Sequence, residues 1–125
     1  MAKAKSKPDK QVKVKEITLE VVGLEYRLTK PTLRKLAAYR PLPAVVEREP
    51  DNVHDEDALK VSVHDDAKEF GGMQIGYLRR QVSAEWSPQI DAGRVVIVSA
   101  EIVAVYPELN TAEVKIGFTK RKIAT

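Results

Sequence analysis

Only two histidines stand in the chain, His54 and His64, each followed by an aspartate. A His/Asp metal site or an acid–base pair is therefore the first chemistry to weigh. The residues between them argue against a shared ion. Ala58-Leu-Lys-Val-Ser-Val-His64 alternates as a strand does, and at about 3.3 Å per residue the two imidazoles lie about 20 to 30 Å apart unless the loop folds back. The chain has no cysteine, which removes thiolate nucleophiles, disulfides and Cys-based zinc sites. Asp51, Asp55 and Asp57 cluster on a polar stretch, where carboxylates ordinarily form turns and caps rather than a hydrolytic pair. Ser62, Ser83, Ser87 and Ser99 lack a nucleophile-elbow context, and neither GxGxxG nor the P-loop pattern occurs. The chain reads as a non-enzyme with no metal or cofactor.

What remains is a set of rings and charges near expected strand ends: Tyr26, His54, Asp55, Tyr77, Arg79 and Arg80. Small barrels bind single strands by stacking bases on flat side chains while cations hold phosphates, with stacking worth about 1 to 3 kcal/mol per base. The alternative for Tyr26 or Tyr77 is a core position with the hydroxyl satisfied.

The elements that must position these groups are legible in outline. With 125 residues, 43% hydrophobic and 31% charged, the chain is sized for one globular domain. It lacks the apolar run of a membrane span or of a signal peptide, which implies a cytoplasmic setting. Val14, Ile17, Leu19 and Val21 approximate the period of two of a first strand reaching Leu24, with Gly23 marking a bend. Pro31 opens a helix to Tyr39 with Leu33, Leu36 and Ala37 on one face, ended by Pro41 and Pro43. Further strands are expected at 44–47, 58–64, 73–78, 94–106 and 112–119. A second helix over 79–90 carries Val82, Trp86 and Ile90 as its apolar stripe, with Trp86 read as core. Consecutive strands without strict alternation with helices predict a mostly β fold: a small OB/SH3-like antiparallel barrel of about six strands with two short helices.

Charge is unevenly divided. The net +3 conceals six lysines against one aspartate in the first 15 residues and the cations Lys120, Arg121 and Lys122 near the end. The body between them holds 12 basic and 17 acidic side chains, so nucleic-acid binding needs a local site rather than bulk charge. Residues 1–12 read as a flexible basic arm, 13–119 as the domain and 120–125 as a basic tail. One basic stretch lies inside the body. No acidic residue falls between Tyr26 and Val46, while Arg27, Lys30, Arg34, Lys35 and Arg40 are basic.

Val46-Glu-Arg-Glu-Pro-Asp-Asn-Val-His-Asp-Glu-Asp-Ala-Leu-Lys-Val61, then Gln74-Ile-Gly-Tyr-Leu-Arg-Arg80 and Ile90-Asp-Ala-Gly93, resemble the HIRAN domain over about residues 16–119. That module sits at the N-terminus of certain fork-remodelling ATPases and also occurs as free-standing bacterial and phage proteins. The resemblance implies an OB-like barrel that captures the 3′ end of single-stranded DNA. It implies that Tyr26 stacks on the terminal base, that His54 stands where the family has a second stacking tyrosine, and that Asp55 accepts a hydrogen bond from the terminal 3′-hydroxyl. It further implies that Asn52 supports the loop and that Tyr77 and Arg80 touch backbone phosphates. Lys30, Arg34 and Lys35 are expected to extend the phosphate track, with Arg79 beside Arg80.

The expected function is thus a module recognising 3′-OH ends of single-stranded DNA in repair or replication-fork processing. It would work with a helicase, nuclease or other repair protein, and away from membranes. The alternatives are a protein-interaction adaptor recruiting a DNA-processing enzyme and, from a third class, a nuclease or acid-anhydride hydrolase.

Overall fold

The computed structural model describes residues 13–39 and 41–121. Residues 1–12, Arg40 and residues 122–125 lie outside it, so the expected basic arm, most of the tail and one cation of the basic stretch are not among the described residues. Six strands form: β1 (Lys15–Val22), β2 (Leu42–Arg48), β3 (Leu59–Val63), β4 (Gln74–Leu78), β5 (Val95–Tyr106) and β6 (Thr111–Lys120). Two helices, α1 (Lys30–Ala38) and α2 (Arg80–Asp91), and two 3-10 turns, Leu24–Tyr26 and Pro107–Leu109, complete the elements of the described residues.

The strands close into a barrel in the order β1-β4-β3-β2-β5-β6, and every pairing is antiparallel. The expected mostly β, OB-like barrel with two helices is what the chain forms. Val21, Leu59, Val61, Ile75, Ile102, Val114 and Ile116 fill the interior. These are β-branched or leucine side chains at alternate positions, the pattern a half-buried strand requires. Helix α1 starts where the Thr29 hydroxyl accepts the Thr32 N–H at 3.3 Å with Pro31 in the first turn. It buries Leu33 and Leu36 completely, and each is worth about 1.5–3 kcal/mol of apolar transfer.

The seam between β1 and β4 is short, with two registered pairs, Val21 with Leu78 and Val22 with Tyr77, as few as join β2 to β5. Gly76 makes it possible. A Cβ there would fall on the Val22 carbonyl oxygen and press on Leu24 and Val21, so only glycine lets the two strands meet.

Three expectations change. β1 stops at Val22 rather than Leu24, because Gly23 takes φ 82° and turns the chain into the 3-10 segment that carries Tyr26. Val14, read as part of the first strand, lies just before β1, and it and Ile17 stay exposed: the first half of β1 pairs with β6 but runs past β4. On α2 the stripe Val82, Trp86 and Ile90 is only half-buried, while Ser83 and Ser87 are the buried positions, at 1% and 0% exposure. Small side chains let the helix sit close to its neighbours, with the larger ones packed around the contact. Trp86 lies edge-on to Phe118 with ring centroids 5.0 Å apart, a packing role. Pro88 is accommodated inside α2, and the helix ends at Ala92 and Gly93, whose φ is 76°. No described helix is long and apolar enough to cross a membrane.

Candidate nucleic-acid interface

The loop from Glu49 to Ala58, between β2 and β3, is built from its own side chains. Glu49-Pro50-Asp51-Asn52 closes a turn in which the Asn52 N–H donates to the Glu49 carbonyl at 3.1 Å, with proline at the second position, where its fixed φ suits a turn. Asn52 Oδ1 then accepts the N–H groups of His54 and Asp55 at 2.8 and 3.0 Å. Asp55 Oδ1 accepts the Asp57 N–H at 2.9 Å. These local side-chain acceptors replace the ladder that the loop lacks.

Two bolts fasten the loop to α2. Arg48 forks onto the Asp91 carboxylate at 2.9 and 3.1 Å and donates to the Glu56 carbonyl at 2.8 Å. That guanidinium holds the Asp91 carboxyl below its ordinary range, and the same bond raises Arg48 further. Ser87 Oγ donates to the Asp57 carbonyl at 2.5 Å.

A third connection runs to β4. The Tyr77 hydroxyl donates to Glu49 Oε1 at 2.6 Å, and Asn52 Nδ2 donates to the same oxygen at 2.8 Å. Those two bonds, with weaker attraction from Lys60 and Arg27, hold the Glu49 carboxyl below the usual glutamate range despite partial desolvation.

A cleft of about 700 Å³ opens beside this loop. Three segments contribute to its lining: Val22, Gly23, Tyr26 and Arg27 at and after the end of β1, Asn52, His54, Asp55 and Ala58 on the loop, and Tyr77, Leu78 and Arg80 at the join of β4 and α2. Tyr26 is 84% exposed, so its ring is free to stack rather than committed to the core. The Asp55 side chain is 21% exposed, and Arg80 brings Nε to 3.7 Å from Asp55 Oδ2. Arg80 Nη2 also donates to the His54 carbonyl at 3.1 Å. The cleft thus presents the tyrosines Tyr26 and Tyr77 and an imidazole, one carboxylate, and the cations Arg27 and Arg80.

Of the residues expected at the site, the fold brings Tyr26, Asn52, His54, Asp55, Tyr77 and Arg80 to this one cleft. It places Arg79, Lys30, Arg34 and Lys35 outside the lining. Arg79 Nε pairs with Glu20 at 2.6 Å. Lys30 Nζ is spent on the Pro107 carbonyl and Asn110 Oδ1, at 2.6 and 3.1 Å, and Arg34 sits 3.6 Å from Glu108. Helix α1 uses its cations to dock on the tip of the β5–β6 hairpin, and Lys35 lies on its exposed side. Two members of the region were not singled out from the sequence: Arg27, counted only within the basic stretch, and Glu49. The signal for Glu49 was its place immediately before the Pro50 turn, three residues ahead of Asn52.

His64 lies at the far end of β3, where its Nδ1 accepts the Asp66 N–H at 3.0 Å. Among the described residues no group of three or more His, Asp or Glu side chains is placed to hold a metal ion.

Comparison with known proteins places these features in a family. The family model described as HIRAN domain matches residues 14–120. The crystal structure of the HIRAN domain of human HLTF superposes with a TM-score of 0.63 at 19% identity, covering 86% of this chain and 77% of that one. A protein from Lactobacillus plantarum gives 0.62 at 18% identity over 87% of this chain and all of its own. The HLTF HIRAN domain in its DNA-bound conformation gives 0.58 at 18% identity, covering 94% and 85%. No curated protein matches the sequence.

Proposed function

The chain belongs to the HIRAN domain family, and from that premise we propose that it is a non-enzymatic DNA-binding module that captures the 3′-OH end of a single strand in the cleft of Tyr26, His54 and Asp55. The setting that fits such a module is repair or replication-fork processing. A structural neighbour, the HLTF HIRAN domain, has been determined in a DNA-bound conformation, which supports nucleic acid as the ligand class.

The observation that carries the reading is the position of Asp55 in a cleft that also contains Tyr26, His54, Arg27 and Arg80. A carboxylate facing a polynucleotide repels each phosphate that passes it. It is tolerable where no phosphate follows, at a free 3′-hydroxyl, to which it offers a charge-assisted hydrogen bond. Arg80, already 3.7 Å from that carboxylate, is placed to meet the phosphates one or two residues back from the end, while Tyr26 supplies a stacking face.

The test is fluorescence anisotropy with short strands of one sequence ending in 3′-OH or 3′-phosphate, labelled at the 5′ end. Tighter binding of the 3′-OH strand is expected. Equal affinity for the two would remove the end-recognition reading, and no binding of either at about 50 mM salt, where even weak phosphate contacts register, would remove DNA binding altogether.

A further inference from the structure

Glu49 poses a problem for a DNA-binding cleft. It adds a second carboxylate to the loop that carries Asp55, its titration lowered by its donors, yet it is not among the residues that line the cleft. Its bonds show where it acts. Oε1 takes both the Tyr77 hydroxyl and the Asn52 amide, at 2.6 and 2.8 Å. Asn52 Nδ2 also lies 3.4 Å from the Tyr77 oxygen, so the three groups form a closed set. From Asn52 the connection continues, because its Oδ1 fixes the backbone N–H groups of His54 and Asp55. The other carboxylate oxygen, Oε2, lies 3.9 Å from Lys60 Nζ, on the strand neighbour directly opposite Tyr77.

We propose that Glu49 is the positioning residue of the cleft: one carboxylate oxygen ties the β4 wall, through Tyr77, to the loop that aims Asp55 and His54, through Asn52. This deepens the DNA-end reading and rests on it for the effect on binding, while the tie itself is a property of the free protein. Without Oε1, Asn52 loses the bond that orients its amide. The N–H groups of His54 and Asp55 then lose a fixed acceptor, and the carboxylate that reads the strand's end loses its aim. The part Glu49 supplies is an acceptor at one point. Glutamine, which keeps a carbonyl oxygen there, should replace it, and leucine, of similar size with no acceptor, should not.

The experiment uses the full chain carrying Glu49→Gln or Glu49→Leu, with Tyr77→Phe as a variant that severs the tie from the β4 side. Binding of a 3′-OH strand is expected to fall roughly tenfold in Glu49→Leu and to stay within about threefold of the parent in Glu49→Gln. In the free protein, Glu49→Leu should move the Asn52 side-chain amide resonances to the exchange-averaged position of an exposed asparagine, while the amides of β5 and β6 keep their shifts. Tyr77→Phe should bring the Glu49 carboxyl carbon's titration back toward the ordinary glutamate range. If Glu49→Leu does not fold, the Tyr77→Phe titration and the Glu49→Gln rescue carry the decision. An unmoved Asn52 amide in Glu49→Leu, an unmoved Glu49 titration in Tyr77→Phe, or a Glu49→Gln protein as impaired as Glu49→Leu overturns the assignment. A parent protein that ignores 3′-OH strands overturns the DNA-end reading instead, leaving the resonance tests to judge Glu49.

Discussion

Arg80 stands over Asp55 with Nε 3.7 Å from Oδ2, while its Nη2 is hydrogen-bonded to the carbonyl of His54, the neighbouring residue. The side chain that would attract phosphates therefore also screens the carboxylate that would repel them, and 72% of it remains exposed. The two charges act as a unit. Most of the Arg80 side chain thus stays accessible from outside, beside a carboxylate that is 21% exposed.

Asp55→Ala separates these effects. The variant should bind a 3′-OH strand about tenfold more weakly, because a charge-assisted bond is lost. It should bind a 3′-phosphate strand at least as well as the parent, because a repulsive charge has gone. Anisotropy titrations with both strands check it; a parallel loss on both would mean that Asp55 only holds the loop.

Tyr26 is the exposed ring of the cleft. Tyr26→Ala should cost about 1–3 kcal/mol of single-strand binding, and Tyr26→Phe should retain most of it, since the stacking face survives. Neither should shift the melting temperature by more than a degree or two, because the side chain is 84% exposed and surface substitutions are close to neutral. A large fall in stability for Tyr26→Ala would show that the ring packs instead of stacking.

Salt dependence should report two populations of cation. Arg27→Ala should weaken binding of every sequence equally and lower the salt slope by about one. Deleting residues 1–12, with their four lysines and one aspartate, should flatten the slope further without altering the 3′-OH preference. Lys30→Ala should leave binding unchanged and lower the melting temperature, since its ammonium is committed to Pro107 and Asn110. A steep change of salt slope in Lys30→Ala would restore α1 to the phosphate track.

Gly76→Ala tests the short seam. Overpacking against the Val22 carbonyl should destabilise the protein by about 1–3 kcal/mol and displace the Val22 and Tyr77 walls of the cleft. Chemical denaturation reads the first effect and strand binding the second; an alanine protein of unchanged stability would show that the strands need not approach so closely.

Glu49 gives a sign for acid stability. Its carboxyl titrates lower in the folded chain than in the unfolded one, so the stabilisation is complete above the ordinary glutamate value and is lost as pH falls through the lower, folded value. The parent should exceed Glu49→Gln in stability at pH 7, and the gap should close below about pH 4. Denaturation midpoints between pH 7 and 3 check this; a constant gap would mean that ionisation of Glu49 contributes nothing.

The strands were legible because alternation is local. Leu59-Lys-Val-Ser-Val63 and Val95 to Tyr106 carry the period of two on their own residues, and Pro31, Pro41 and Gly93 punctuate the helices without reference to anything distant. The burial of Ser83 and Ser87 was not legible, because it depends on how closely α2 approaches its neighbours. The tie from Tyr77 to Glu49 was hidden for a related reason: the residues are 28 apart in the chain and meet only because β3 pairs with both β2 and β4.

By itself the sequence determined the element types, the barrel class, the Asn52–Asp55 loop chemistry and the family likeness, all of which live in short windows where neighbouring side chains and dihedral preferences decide. Only the tertiary structure decided which cations line the cleft and which dock one element on another. Arg80 and Lys30 are both basic residues at the start of a helix, and nothing local distinguishes them. Barrel closure sets Arg80 against Asp55 and Lys30 against the hairpin tip, because the partner that claims a charge is chosen by strand order, a property of the whole chain.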